Sequence, residues 1–207
     1  EYRATMISKL IETGINHIEC GSFVSPKWVP SMANSADVIE GVVIPPNRKD
    51  VVLSALVPNE KGMQAALQSK KLRETAVFTG ASETFVKKNI NCTIDESIAR
   101  FTPIVEQALE AGLRVRGYVS CVMGCPYEGP VDPQKVNEVT NKLLDIGCFE
   151  VSLGDTIGIG TPEKANDLFD AMSAPVDKLA MHFHDTYLNA IENIMVGLER
   201  GVSVMDS

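Results

Sequence analysis

At 207 residues, 44% hydrophobic and 22% charged, the chain has an ordinary globular composition and enough length for a substantial core. A net charge of −8 argues against a general nucleic-acid partner, and the basic pairs Lys87-Lys88 and Arg48-Lys49 are local patches on an acidic molecule. No apolar run approaches the roughly 18 residues of a membrane span, so no membrane partner is expected, and five scattered cysteines suit a reducing compartment better than a disulfide framework.

Helical periodicity covers residues 2–13, with Met6, Ile7, Leu10 and Ile11 on one face and Gly14 as a C-cap. A strand is expected from Ile15 to Cys20, then a helix over 31–40 and a strand from Val51 to Val57 that stops at Pro58. A helix over 60–70 leads to a strand around Thr75–Phe78. The helix over 95–111 carries Asp95 and Glu96 in its first turn and Gly112 past its end, which suits the macrodipole and the cap. A strand Arg114–Ser120, a helix over 133–146, a strand Phe149–Leu153 and a helix over 162–172 follow. A strand Leu179–Phe183, a helix over 186–200 and a strand Val202–Met205 close the series.

These seven strands are rich in Val, Ile and Leu without clean polar alternation, as parallel strands covered on both faces are. Strict alternation with helices means a TIM barrel or a doubly wound sheet. No G-x-G-x-x-G follows the first strand, which weakens the dinucleotide-binding version. Glu19, Ser22, Arg116, Ser120, Asp155, His182 and His184 fall near the ends of five different strand segments. A barrel gathers its site from many strand ends, whereas a doubly wound sheet uses one switch point. The expected fold is therefore α/β, a TIM (β/α)8 barrel seen from its second to its eighth strand, as one partial catalytic domain over 1–207. A full barrel usually needs about 250 residues. The series also opens on a helix, so the missing first strand is expected upstream of Glu1.

His182-Phe183-His184-Asp185 ends the sixth strand. Alternation along a strand puts the two imidazoles on one face and Phe183 on the other, where the pair can share a divalent metal. Two ligands do not make a site, so taken alone the motif reads equally well as polar residues at a strand end.

Other segments are more specific than periodicity. Ser22-Phe23-Val24-Ser25-Pro26-Lys27-Trp28-Val29-Pro30 follows the first strand, and Lys87-Lys88-Asn89-Ile90-Asn91-Cys92 follows the third. Arg116-Gly117-Tyr118-Val119-Ser120-Cys121 runs into Gly124-Cys125-Pro126-Tyr127-Glu128-Gly129, and Ser152-Leu153-Gly154-Asp155-Thr156-Ile157-Gly158 ends the fifth strand. Together with the histidine motif, these resemble the 3-hydroxy-3-methylglutaryl-CoA lyase family, part of a superfamily of metal-dependent lyases and Claisen-type synthases on TIM barrels. The resemblance runs over essentially the whole chain.

The resemblance implies retro-Claisen cleavage of 3-hydroxy-3-methylglutaryl-CoA to acetyl-CoA and acetoacetate, a step of leucine degradation and ketone-body formation. It implies an acyl-CoA substrate, a dimer for the full-length enzyme, and a bacterial cytoplasm or a mitochondrial matrix. It also implies magnesium or manganese held by His182 and His184. The family's other ligands, an Asp on the first strand and an Asn after the eighth, would precede Glu1 and follow Ser207. Two alternatives stay open: a condensing synthase using acetyl-CoA, and a non-catalytic fragment with exposed sheet edges.

By the same resemblance His182 is ligand and proton-transfer group, and His184 is ligand only. Asp155 either orients the C3 hydroxyl and shares in proton transfer or caps the next turn. Glu19, at the end of a strand read as buried, either supports the metal site as a catalytic group or forms a structural ion pair. Arg116 either meets a substrate carboxylate or makes a structural salt bridge. Asn89 is assigned to the CoA moiety and Ser22 to the substrate, whereas Cys125 is read as a structural or redox-sensitive thiol.

Overall fold

Seven strands follow one another in chain order through the sheet: β1 His17–Ser22, β2 Val52–Leu56, β3 Leu72–Gly80, β4 Arg114–Ser120, β5 Glu150–Asp155, β6 Leu179–Phe183 and β7 Val204–Met205. The computed structural model describes residues 2–207. The pairings β1–β2, β2–β3, β4–β5, β5–β6 and β6–β7 are all parallel. Parallel neighbours require crossovers, and seven of the eight α-helices among the described residues supply them, the first helix preceding the first strand. The eight are α1 Tyr2–Glu12, α2 Ser35–Gly41, α3 Glu60–Ala66, α4 Glu83–Ile90, α5 Ile94–Glu110, α6 Pro133–Asp145, α7 Pro162–Ala171 and α8 Ala190–Glu199.

Local chemistry sets the helix starts. The Asn59 side chain accepts from the Gly62 amide, and Ser82 Oγ accepts from the Phe85 amide. Asp132 and Thr161 cap α6 and α7, each followed by a proline at the first helical position, where no amide hydrogen is needed.

The chain resolves into two compact units. One holds the residues up to Val77 with Pro103–Val115, around buried Ile11, Ile39, Leu53, Ala55, Met63 and Leu72. In it the fully buried Glu74 carboxylate is met at 2.8 Å by His17 Nε2 and at 2.8 Å by Arg114 Nη2. The other unit holds Phe78–Thr102 with Arg116–Ser207, around Phe101, Leu143, Val151, Leu153, Leu168 and Leu179. Here a Cβ at Gly117 of β4 would lie 2.9 Å from Leu143 Cδ1, so only glycine lets α6 approach this closely.

Several expectations are corrected. Strand β1 runs His17–Ser22, so Glu19 lies in mid-strand, and its side chain is exposed among the described residues. Helix α4 was not anticipated: it places Lys87, Lys88 and Asn89 on a last helical turn, with left-handed Asn91 as C-cap. The segment Pro30–Met32 forms a 3-10 turn and α2 starts only at Ser35. Helix α8 starts at Ala190 rather than 186, where Asp185 Oδ1 accepts from the Ala190 amide at 3.0 Å. Among the described residues, no helix is long and apolar enough to cross a membrane.

Candidate functional site

Strand β6 is buried at every residue but His182, as expected of a parallel strand covered on both faces. Met181 and Phe183 are buried, and His182 turns to the other side with His184 beyond it. Their Nε2 atoms lie 3.1 Å apart. The space opens because β6 is paired at His182 with Gly154 of β5, whose missing side chain leaves room beside the Val119 carbonyl.

Each imidazole has an oxygen on its Nδ1 side. His184 Nδ1 is 2.7 Å from the Thr156 carbonyl, which can only accept, so the proton sits on Nδ1 and Nε2 carries a lone pair. His182 Nδ1 is 3.8 Å from Asp206 Oδ2. Burial holds the His182 imidazole below the usual histidine value; Asp206 opposes this, and His184 and Arg116 reinforce it. Neutral imidazoles in this arrangement aim two lone pairs at one another, which is unfavourable unless a cation lies between them. Paired acceptors with oriented far nitrogens suit a divalent metal. Among the described residues, no group of three or more His, Cys, Asp or Glu side chains forms a ligand set.

Asp155 ends β5 fully buried, with Oδ2 accepting from the Gly160 amide at 2.8 Å and Oδ1 unpartnered. Its carbonyl receives the amides of Gly158 at 3.2 Å and His184 at 3.4 Å. The carboxylate therefore braces the 155–160 turn, and the N-cap of α7 is Thr161 instead. Thr156 ties the same turn to β4, its Oγ1 accepting from the Cys121 amide at 2.8 Å.

Arg116 is buried. Its Nε donates to Glu150 Oε1 at 2.7 Å and its Nη1 to Asp206 Oδ1 at 2.8 Å, and Nη2 is buried without a partner. Ser152 Oγ donates to Asp206 Oδ2 at 2.7 Å. Asp206, Ser152 and Thr156 were missed in the sequence. The sequence carried no pattern that marked them, since each is defined by contacts with distant strands.

The remaining candidates do not gather around the histidines within this unit. Asn89 is exposed on α4. Ser22 and Glu19 belong to the other unit, where buried Ser22 Oγ accepts from the Val24 amide at 3.3 Å. Cys125 is buried and accepts at Sγ from Ser82 Oγ at 3.0 Å. Burial pushes the Cys20, Cys121 and Cys148 thiols up to about 12, which leaves them poor nucleophiles.

The family profile described as HMGL-like matches residues 1–207. Mitochondrial hydroxymethylglutaryl-CoA lyase of Bos taurus is 53% identical over 204 residues, which is 98% of this chain and 62% of the bovine protein. The chain thus spans about three fifths of that relative's length. The crystal structure of the HMG-CoA lyase from Brucella melitensis superposes with a TM-score of 0.94 at 50% identity, covering 99% of this chain and 71% of that one. An HMG-CoA lyase from Acinetobacter baumannii, in complex with coenzyme A and 3-methylmalate, gives a TM-score of 0.89 at 30% identity over 99% of this chain and 66% of its own. The α/β TIM-barrel fold expected from the strand series is the one shared with these proteins, and the chain belongs to the HMGL-like family.

Proposed function

We propose that this chain carries the histidine half of the active site of a divalent-metal-dependent 3-hydroxy-3-methylglutaryl-CoA lyase. The observation that carries the reading is the 3.1 Å convergence of His182 and His184 Nε2, each ring backed by an oxygen at Nδ1. The reaction removes a proton from a tertiary C3 hydroxyl, breaks the C2–C3 bond and leaves a thioester enolate to be protonated. When bound, Mg2+ or Mn2+ supplies positive charge that makes ionisation of that hydroxyl accessible.

His182 and His184 would hold the ion through Nε2, and burial favours the neutral form of His182 that ligation requires; the proton-transfer role that the family resemblance gives His182 would then run through its Nδ1–H side. The buried Asp155 carboxylate keeps the 155–160 turn in place, and His184 leans on that turn through the Thr156 carbonyl. Arg116 is committed to Glu150 and Asp206, so its role is to organise the interior charge rather than to bind a substrate carboxylate directly. Asn89, with Lys88 stacked 4.9 Å over Tyr127, is assigned to the CoA moiety. Ser22 and Glu19 are kept as substrate-side and supporting groups. The full-length enzyme is read as a dimer, in a bacterial cytoplasm or a mitochondrial matrix.

The test is release of acetyl-CoA and acetoacetate from 3-hydroxy-3-methylglutaryl-CoA by the metal-loaded protein. Activity should vanish on chelation and return with Mg2+ or Mn2+. His182→Ala and His184→Ala should each lower kcat at least about 100-fold. Full activity in His182→Ala would falsify the reading.

A further inference from the structure

Asp206 is the residue into which the second unit's interior polar contacts run. Its Oδ1 receives Arg116 Nη1 at 2.8 Å, and its Oδ2 receives Ser152 Oγ at 2.7 Å. Its backbone amide donates to the Met181 carbonyl at 2.8 Å, which anchors the residue beside β6 at the level of the first histidine. Held at both oxygens and through the main chain, the carboxylate has little freedom to turn. The same Oδ2 that Ser152 fixes is the oxygen 3.8 Å from His182 Nδ1. That separation exceeds a direct hydrogen bond, yet a fixed negative oxygen there favours an N–H dipole over a lone pair on Nδ1.

The two histidines are thereby oriented by different means. His184 has a backbone carbonyl at Nδ1, and His182 has a carboxylate whose position depends on β4, β5 and β7 together. We propose that Asp206, clamped by Arg116 and Ser152, is a positioning residue for His182: it selects the Nδ1–H tautomer and so keeps the Nε2 lone pair turned toward His184. The proposal rests on the metal reading above. It adds that the acidic residue after β7, and the serine and arginine that hold it, set how well that site is formed. A carboxylate on the far nitrogen of a ligating histidine typically governs metal affinity by 10- to 100-fold.

The experiment measures Mn2+ affinity by electron paramagnetic resonance, and the tautomer of His182 by long-range 1H–15N correlation in the metal-free protein. Asp206→Asn keeps the shape and removes the charge. It is expected to weaken Mn2+ binding about 10-fold or more and to move His182 toward the Nε2–H tautomer, with the His184 signals unchanged. Asp206→Glu should recover part of the affinity. Wild-type affinity and tautomer in Asp206→Asn overturn the proposal and leave Asp206 as a counter-ion to Arg116 alone. If Asp206→Asn does not fold, Ser152→Ala carries the test, since it frees Oδ2 without altering any charge; wild-type affinity and tautomer there overturn the proposal equally. Wild-type Mn2+ affinity in a His182→Ala, His184→Ala protein overturns the metal reading itself, a result the Asp206 variant cannot mimic.

Discussion

His184 Nδ1–H donates to the backbone carbonyl of Thr156 at 2.7 Å, so the orientation of a candidate ligand depends on the path of the main chain after β5. That path turns through Gly158 at a φ of +69°, where a Cβ would lie 2.7 Å from the His184 carbonyl oxygen. Both the left-handed conformation and the contact with main chain reject a side chain. Gly158→Ala is expected to cost about 1–3 kcal/mol for the backbone conformation, with the clash adding to it. Urea unfolding measures the loss, and Mn2+ affinity should fall as well because the Thr156 carbonyl is displaced.

A divalent cation held by His182 and His184, as proposed, would bind the folded chain and not the unfolded one. At a Mn2+ concentration 100 times its Kd, mass action adds about 2.7 kcal/mol of stability. For a chain of this size that corresponds to a rise in Tm of roughly 5–10 °C. Calorimetry with and without Mn2+ measures the shift, which should disappear in His184→Ala. A shift of wild-type size in that variant would place the bound ion elsewhere.

Thr156 serves the site from its other side. Its Oγ1 is the partner of the Cys121 amide, and Cys121 itself sits at a φ of +63° and is fully buried. Thr156→Val keeps the shape and leaves a buried donor unpaired, which is expected to cost about 1–3 kcal/mol. Thr156→Ser should restore most of it, and chemical denaturation of the two variants separates the lost hydrogen bond from any packing effect.

Strand alternation in Leu179–Phe183 sufficed to place His182 and His184 on one side, because a period of two has a single outcome once a strand is granted. The βα series was legible for the same reason, each strand being a short apolar run between helical periods. Glu19 was placed at a strand end and lies in mid-strand, because β1 runs on through Gly21 to Ser22 although neither residue favours a strand by itself. Helix α4 was obscured by its basic end: Lys87 and Lys88 read as a local basic patch, whereas their charges complement a helix C-terminus. Asp206 was invisible because its meaning lies in three partners 24 to 90 positions away, namely His182, Ser152 and Arg116. Such contacts come from sheet register, which hydrophobic pattern does not encode across crossovers.

The loop after β4 is pinned to α4 by one carboxylate, and that pin is sensitive to acid. Glu128 Oε1 accepts from the Thr84 amide in the first turn of α4 at 2.7 Å, and this hydrogen bond is the main reason its carboxyl lies below the usual glutamate value. The folded form thus favours the ionised group. Its contribution is complete above the unfolded value of about 4.3 and is lost as pH falls through the lower folded value. Across a titration from pH 6 to pH 3 the Thr84 amide proton resonance should move with an inflection below that value. Glu128→Gln keeps a neutral acceptor at the same place and should show the bond without the inflection; Glu128→Ala should show neither. An inflection that persists in Glu128→Gln would assign the acid response to another carboxylate.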